Sequence, residues 1–195
     1  MAEKKRQYSR ALAQKRCLEA IERAILINKS EAERPFVFQV QELVVFGPLV
    51  DTDAPAVHGV DILATTARHH RYRNRDEVFH SDSEDFINKY APFSICSWRF
   101  REEFPEKDML NYLKGRHMGI VTMYGQQDRA LLDDGRFFTI IRDGRVQADQ
   151  LDALKECSYT VKKQQHKLRT AYPTILYQSG AVTRKCCCSI FMPLK

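Results

Sequence analysis

Glu42-Leu43-Val44-Val45-Phe46-Gly47-Pro48, then the loop Leu49 to Pro55, then Val57-His58-Gly59-Val60-Asp61-Ile62-Leu63-Ala64-Thr65: this stretch decides the fold. Its first part is short, apolar and β-branched, which predicts a buried strand, and the Gly-Pro pair stops it abruptly. Its last part predicts a second strand that carries a single acid, Asp61. A glycine after a buried strand also has a plain reading as a turn, and an acid in a strand also has one as a solvent-facing residue.

Outward from this pair, Tyr8 to Asn28 predicts a helix, because Leu18, Ile21 and Ile25 recur at three- and four-residue spacing between charges. The linker Lys29 to Arg34 closes at Pro35. After the second strand comes the basic run Arg68-His69-His70-Arg71-Tyr72-Arg73-Asn74-Arg75, and Asp76 to Asp85 then adds five acids. Pro92 breaks any single long helix between Glu84 and Phe104. Pro105 suits a helix start, which predicts a helix over Glu106 to Lys114 ended by Gly115. Met118 to Met123 and Phe137 to Ile141 predict further strands, Asp149 to Leu168 a last helix, and Pro173 onward an extended tail.

The chain has 195 residues, 44% hydrophobic and 29% charged, with 8 Gly and 7 Pro, so it is neither collagen-like nor low-complexity. Its apolar runs fall far short of the ~20 residues of a membrane helix, and no apolar stretch precedes Ala11. These features predict a cytoplasmic protein without a membrane partner. The six cysteines do not suggest a disulfide framework. Cys17 and Cys96 read as buried free thiols and Cys157 as a helix residue. Consecutive Cys186, Cys187 and Cys188 alternate in direction along an extended chain and do not readily converge on one metal. The net charge is +6, from 31 Lys and Arg against 25 Asp and Glu. Residues Lys155 to Lys195 hold eight bases and one acid, so that segment carries +7 and the rest −1. Such a tail suits phosphates or an acidic partner, and equally a solvated basic helix with a loose end.

Val44-Val45-Phe46-Gly47-Pro48 and His58-Gly59-Val60-Asp61-Ile62-Leu63 resemble the nucleotidyltransferase superfamily. That superfamily includes polymerase-beta-like enzymes and small bacterial nucleotidyltransferases of toxin–antitoxin type. Its pattern is an apolar strand, Gly-Ser, a loop, then Asp-x-Asp in the next strand. Leu110-Asn111-Tyr112-Leu113-Lys114-Gly115-Arg116, leading into a strand, is similar to a later passage of the small bacterial members. The resemblance spans roughly Phe36 to Val146. It implies an α+β fold: a mixed β-sheet flanked by helices, in which the strands near Val44, Ile62 and Val121 are neighbours. The corresponding division is an N-terminal helix and linker over 1–34, a nucleotidyltransferase-like core over 35–146, and a basic C-terminal helix and tail over 147–195.

In that family two carboxylates at i and i+2 point to one face of a strand and hold Mg²⁺, which positions a nucleoside triphosphate for nucleotidyl transfer. Here the motif is degenerate. Pro48 stands where the family has Ser, Gly59 where it has the first Asp, and the strand His117 to Tyr124 offers no third acid. Asp61 remains as the catalytic and metal-ligand candidate, and Mg²⁺ binding is expected to be weak. Gly47, Pro48, Asp51, Asp53, His58 and Gly59 are the nucleotide-binding candidates; His58 suits a ligand or phosphate contact, although a lone histidine beside a turn is usually structural or merely exposed. Arg68, Arg71, Arg73 and Arg75 are nucleic-acid-binding candidates, because guanidiniums grip phosphates and stack on rings; the family placement sets them at the rim of the nucleotide cleft. Their plain reading is a solvated loop neutralised by the acids that follow. Three functions follow from this reading. One is an active nucleotidyltransferase modifying RNA or protein. The second is an inactive or weakly active relative, nucleotide- or RNA-associated, serving a toxin–antitoxin or defence module through a protein partner. The third is a non-enzymatic RNA-binding protein.

Overall fold

The computed structural model describes residues 6–92, 98–116, 119–133 and 135–157. Cys96, His117, Met118, the last helix beyond Cys157, the tail from Pro173 and the cysteines Cys186, Cys187 and Cys188 lie outside them.

The short strand β1 (Tyr8–Ser9) leads into helix α1 (Arg10–Asn28), where Ser9 Oγ caps the first turn by accepting from the Leu12 N–H at 3.3 Å. Ala13, Cys17, Ala20, Ile21, Ala24 and Ile27 form its buried stripe, mostly small residues that let the helix approach the sheet closely. Burial pushes the Cys17 thiol up to about 12.

Strand β2 (Phe38–Phe46) is followed by a one-turn helix α2 (Pro48–Asp51), then β3 (Ala56–Val57) and β4 (Val60–Arg68). A first 3-10 turn (His70–Tyr72) precedes helices α3 (Asp76–Tyr90) and α4 (Trp98–Lys114). Strand β5 (Val121–Tyr124), a second 3-10 segment (Gln126–Leu132), β6 (Phe137–Arg142) and β7 (Arg145–Val146) complete the core, and 148–157 are helical. The chain is an α+β fold with a mixed five-stranded sheet in the order β5-β4-β2-β6-β7; only β4 and β5 run parallel. Strands β1 and β3 pair separately.

Both faces of the sheet are apolar, but they are covered unequally. Val40, Leu43, Val45, Val60, Ile62 and Ile141 join the main core beneath α1 and α4. Val44, Phe46 and Leu63 form a small second cluster with Leu132 of the second 3-10 segment. A bulge between Val40 and Glu42 re-phases β2, so that Glu42 shares the second face with Val44 and Phe46.

Two sequence expectations are corrected here. Leu49 to Asp51 is helical rather than loop, because Pro48 fits a helix's first turn and the Val50 and Asp51 N–H groups both close on Gly47 O at 2.8 and 3.0 Å. Pro105 lies inside α4 instead of starting it. Phe104 packs on the main core and meets the Phe86 ring at 6.1 Å, and this anchoring carries the helix through a position where one backbone hydrogen bond is lost.

Candidate functional site

The second face of the sheet reaches the C-terminal end of β2 at Phe46, whose register partner in β4 is Asp61. Gly47 follows with φ 76 and ψ −156, a region open almost only to glycine. A Cβ on Gly47 would fall 2.4 Å from Asp61 Oδ2. The glycine is therefore required twice, by its dihedral angles and by the carboxylate that packs onto it. Across β4, Asp61 pairs with Thr122 and Leu63 with Tyr124, which sets Tyr124 on the same face as Asp61. Burial raises the Tyr124 phenol above its usual range; the charge of Asp61, a hydrogen bond to it and the charge of Asp128 add to the rise. Asp128 Oδ2 accepts from the Gly125 N–H at 3.0 Å. The Phe46 and Tyr124 rings lie 5.4 Å apart, and Phe137, the partner of Phe46 in β6, is exposed.

Sequence reasoning missed Tyr124, Asp128 and Phe137. The alternation of β5 was the signal for Tyr124, since a parallel neighbour of β4 must set every second residue beside Asp61. Asp128 follows a turn at Gly125 and had no such periodicity to mark it.

The loop candidates divide by role. Asp51 Oδ1 accepts from the Arg136 N–H at 3.0 Å, so this carboxylate ties the end of α2 to the start of β6. Asp53 and His58 are exposed. Pro48 has no N–H to offer, and the Val50 and Asp51 N–H groups of its turn are already spent on Gly47 O. Gly59 has φ 144, and a Cβ there would come 2.7 Å from the backbone oxygen of Ile120. That position cannot take a carboxylate without moving β5. A buried Arg10 holds the loop from below, donating from Nη2 to Leu49 O at 2.7 Å and from Nη1 to Thr52 O. These are the orphan carbonyls at the end of α2.

Among the described residues no group of three or more His, Cys, Asp or Glu is placed to hold a metal ion. The donors that register and hydrogen bonding bring to the Asp61 carboxylate are a phenol and Thr122, with the Asp128 charge near that phenol. This set does not fit a pair of hard divalent cations, each of which demands several oxygen ligands.

The expected rim position of the basic run is corrected by the register. Phe46 pairs with Asp61 at one end of β4, whereas Phe38 pairs with Arg68 at the other. Seven residues separate the two acid and base positions, roughly 23 Å of strand at about 3.3 Å per residue. Arg68 pairs with Asp76 at 2.5 Å and lies over the Phe79 ring at 4.3 Å. Arg71 donates from Nη2 to Phe36 O at 3.2 Å and to the Tyr72 hydroxyl at 2.6 Å, and Tyr72 donates to Asp82. Of the run's four arginines, only Arg73 and Arg75 stand exposed with no ion-pair or hydrogen-bond partner for the guanidinium among the described residues. His69, within the same run, is buried against Ser30 Oγ at 3.1 Å, and burial, with the neighbouring His70 and Arg71 charges, lowers its pKa to about 4.

Two clefts lie on the helical side. One of about 450 Å³ opens between α3 and α4, lined by Phe38, Phe79, Ile87 and Pro105. Another of about 580 Å³ is lined by Arg34, Asp108, Tyr112 and Arg116. No helix among the described residues is long and apolar enough to cross a membrane. Comparison with protein-family models, with curated proteins and with solved structures finds no match to this chain.

Proposed function

We propose that the chain is a nucleotidyltransferase-like protein with a degraded metal site, nucleotide- or RNA-associated and weakly active or inactive. The observation that carries this reading is the seating of Gly47 on the Asp61 carboxylate across the antiparallel pair β2 and β4. Strand, glycine turn and acid-bearing strand follow in the order of the resemblance, with the one-turn helix α2 where its pattern has a loop. The parallel neighbour β5 brings Thr122, not an acid, opposite Asp61.

The same residues account for the degradation. Gly59, just before β4, has no room for a side chain that would supply a second carboxylate, and Pro48 offers neither a hydroxyl nor an N–H in the turn. Each lost charge-stabilising group typically costs about two to three decades in rate. An inactive protein of this kind serves through a partner, as in a toxin–antitoxin or defence module. Mg²⁺ and a nucleoside triphosphate remain the ligands to test, with the cytoplasm as the compartment.

The test is calorimetry with ATP, GTP, CTP and UTP in the presence and absence of Mg²⁺, on the unmodified protein and on Asp61→Asn. Weak binding of at least one nucleotide that depends on Asp61 is the expected result. Nucleotide binding that Asp61→Asn leaves unchanged sinks the reading. Robust transfer of labelled nucleotide to RNA or protein, abolished by Asp61→Ala, shows instead an active enzyme.

A further inference from the structure

Strand β6 presents two kinds of group on the second face of the sheet. Phe137, level with Phe46, is 47% exposed although it is a large apolar side chain. At the other end Arg142 stands directly opposite Arg145 of β7, and both are exposed. Like charges paired across strands oppose folding, and neither guanidinium has an ion-pair partner among the described residues. The acids nearest in register are engaged elsewhere. Glu42 takes a two-pronged contact from Arg129 at 2.7 and 3.1 Å, and Asp143 accepts from Gln41 at 3.2 Å.

We propose that the β6–β7 edge of the sheet binds a single-stranded nucleic acid, with a base stacked on Phe137 and phosphates held by Arg142 and Arg145. An exposed ring and a guanidinium pair along one face supply the two things such a ligand needs: a π platform and charge that tracks its backbone. The charge also decides between occupants. The chain's own residues Lys155 to Lys195 carry +7 and are repelled by this edge. A second copy of the chain would set the same arginines against each other. The site uses neither Arg73 nor Arg75, and it does not rest on the nucleotidyltransferase reading, because it requires neither Asp61 nor a metal.

The experiment measures fluorescence anisotropy of a labelled 20-nucleotide single-stranded RNA with the full chain in EDTA, over a series of salt concentrations. Binding by the unmodified protein is expected. Arg142→Gln with Arg145→Gln should lower the slope of log K against log salt by about 1.4, since each phosphate contact on a single strand contributes about 0.7. Phe137→Ser should weaken RNA binding about tenfold, in the range known for loss of a base stack, and leave inorganic polyphosphate binding unchanged. The charge-matched control is Arg101→Gln with Arg116→Gln, on the helical side, which should keep the slope. The proposal is overturned by no RNA binding at low salt, or by an unaltered slope in the Arg142 and Arg145 variant with an unchanged melting temperature. It is equally overturned if the control lowers the slope as much, or if Phe137→Ser weakens polyphosphate as much as RNA. Asp61→Asn should leave this binding intact, which separates failure here from failure of the nucleotide site.

Discussion

Where Leu43, Val45, Ile62 and Ile141 point, the sheet meets α1 and α4 and a continuous core; where Val44, Phe46 and Leu63 point, it meets one 3-10 segment and a four-residue cluster. The same three central strands build both surfaces. The difference lies in what covers them. On the helical side the side chains are spent on packing, and of the basic run Arg68, His69 and Arg71 are engaged there while Arg73 and Arg75 stay exposed. On the other side the polar residues Asp61, Tyr124, Glu42 and Arg142 remain within reach of solvent. Chemistry has room only where packing is thin.

The largest expected effect tests that inequality directly. Leu113 is fully buried in the main core, and Leu132 is the residue that closes the small cluster. Leu113→Ala should cost about 2–5 kcal/mol, the usual range for a leucine removed from a tight core. Leu132→Ala should fall at or below the lower end of that range, because its thin cover can collapse into the space. Urea midpoints of the two variants measure this. Equal losses would mean that the second face is as tightly built as the first.

Next is the glycine over the carboxylate. Gly47→Ala forces a side chain into a conformation that costs about 1–3 kcal/mol and brings its Cβ onto Asp61 Oδ2. In an Asp61→Ala background the contact with the carboxylate disappears while the backbone strain stays. The double-mutant cycle should therefore show that part of the loss is recovered. Additive losses would show that Asp61 swings away freely and that the seat is loose.

On the helical side, His69 predicts a pH effect. Its pKa falls from the ordinary 6.5 to about 4 in the folded protein, chiefly through burial. The unfolded chain therefore binds the proton first on acidification. The stability contribution is present above about pH 6.5 and is lost as the pH falls toward about 4. Melting temperatures across that window should decline in the unmodified protein and decline less in His69→Gln, which keeps a polar group for Ser30. Parallel curves for the two proteins would remove His69 from the account.

Much of the architecture was legible. The β-branched run before Gly47 and the apolar alternation around Asp61 marked the two central strands, and the three- and four-residue spacing marked α1. What failed had local physical causes. Pro105 reads as a helix start because its cost is local, whereas the Phe104 and Phe86 contact that outweighs it joins distant residues. The strands of two residues, β1, β3 and β7, are too short for any periodicity. The basic run had two readings, a phosphate-binding surface and a loop neutralised by Asp76 to Asp85, and sequence shows charge without saying which side chains meet. Asp76, Asp82 and the carbonyl of Phe36 engage Arg68, Tyr72 and Arg71 only after folding. Of the candidate site, Gly47 and Asp61 were visible as a spacing. Tyr124 was not, because strand pairing is what brings it to Asp61.

The smallest expected effect concerns the cover itself. Arg129 of the second 3-10 segment grips Glu42 of β2 with both prongs of its guanidinium, yet its side chain is 58% exposed. Exposed ion pairs of this kind contribute about 0.2–1 kcal/mol, so Arg129→Gln should hardly move the global stability. Its effect should be local. With that grip gone, the segment is held mainly by Leu132, and 3-10 runs of this length have weak internal hydrogen bonds. Amide exchange should accelerate over Gln126 to Leu132 and stay unchanged along α1. High salt should mimic the substitution in the unmodified protein, because screening weakens the same contact. If exchange in α1 accelerates equally, the two faces unfold as one unit, and the thin cover has no independent freedom to open over Asp61.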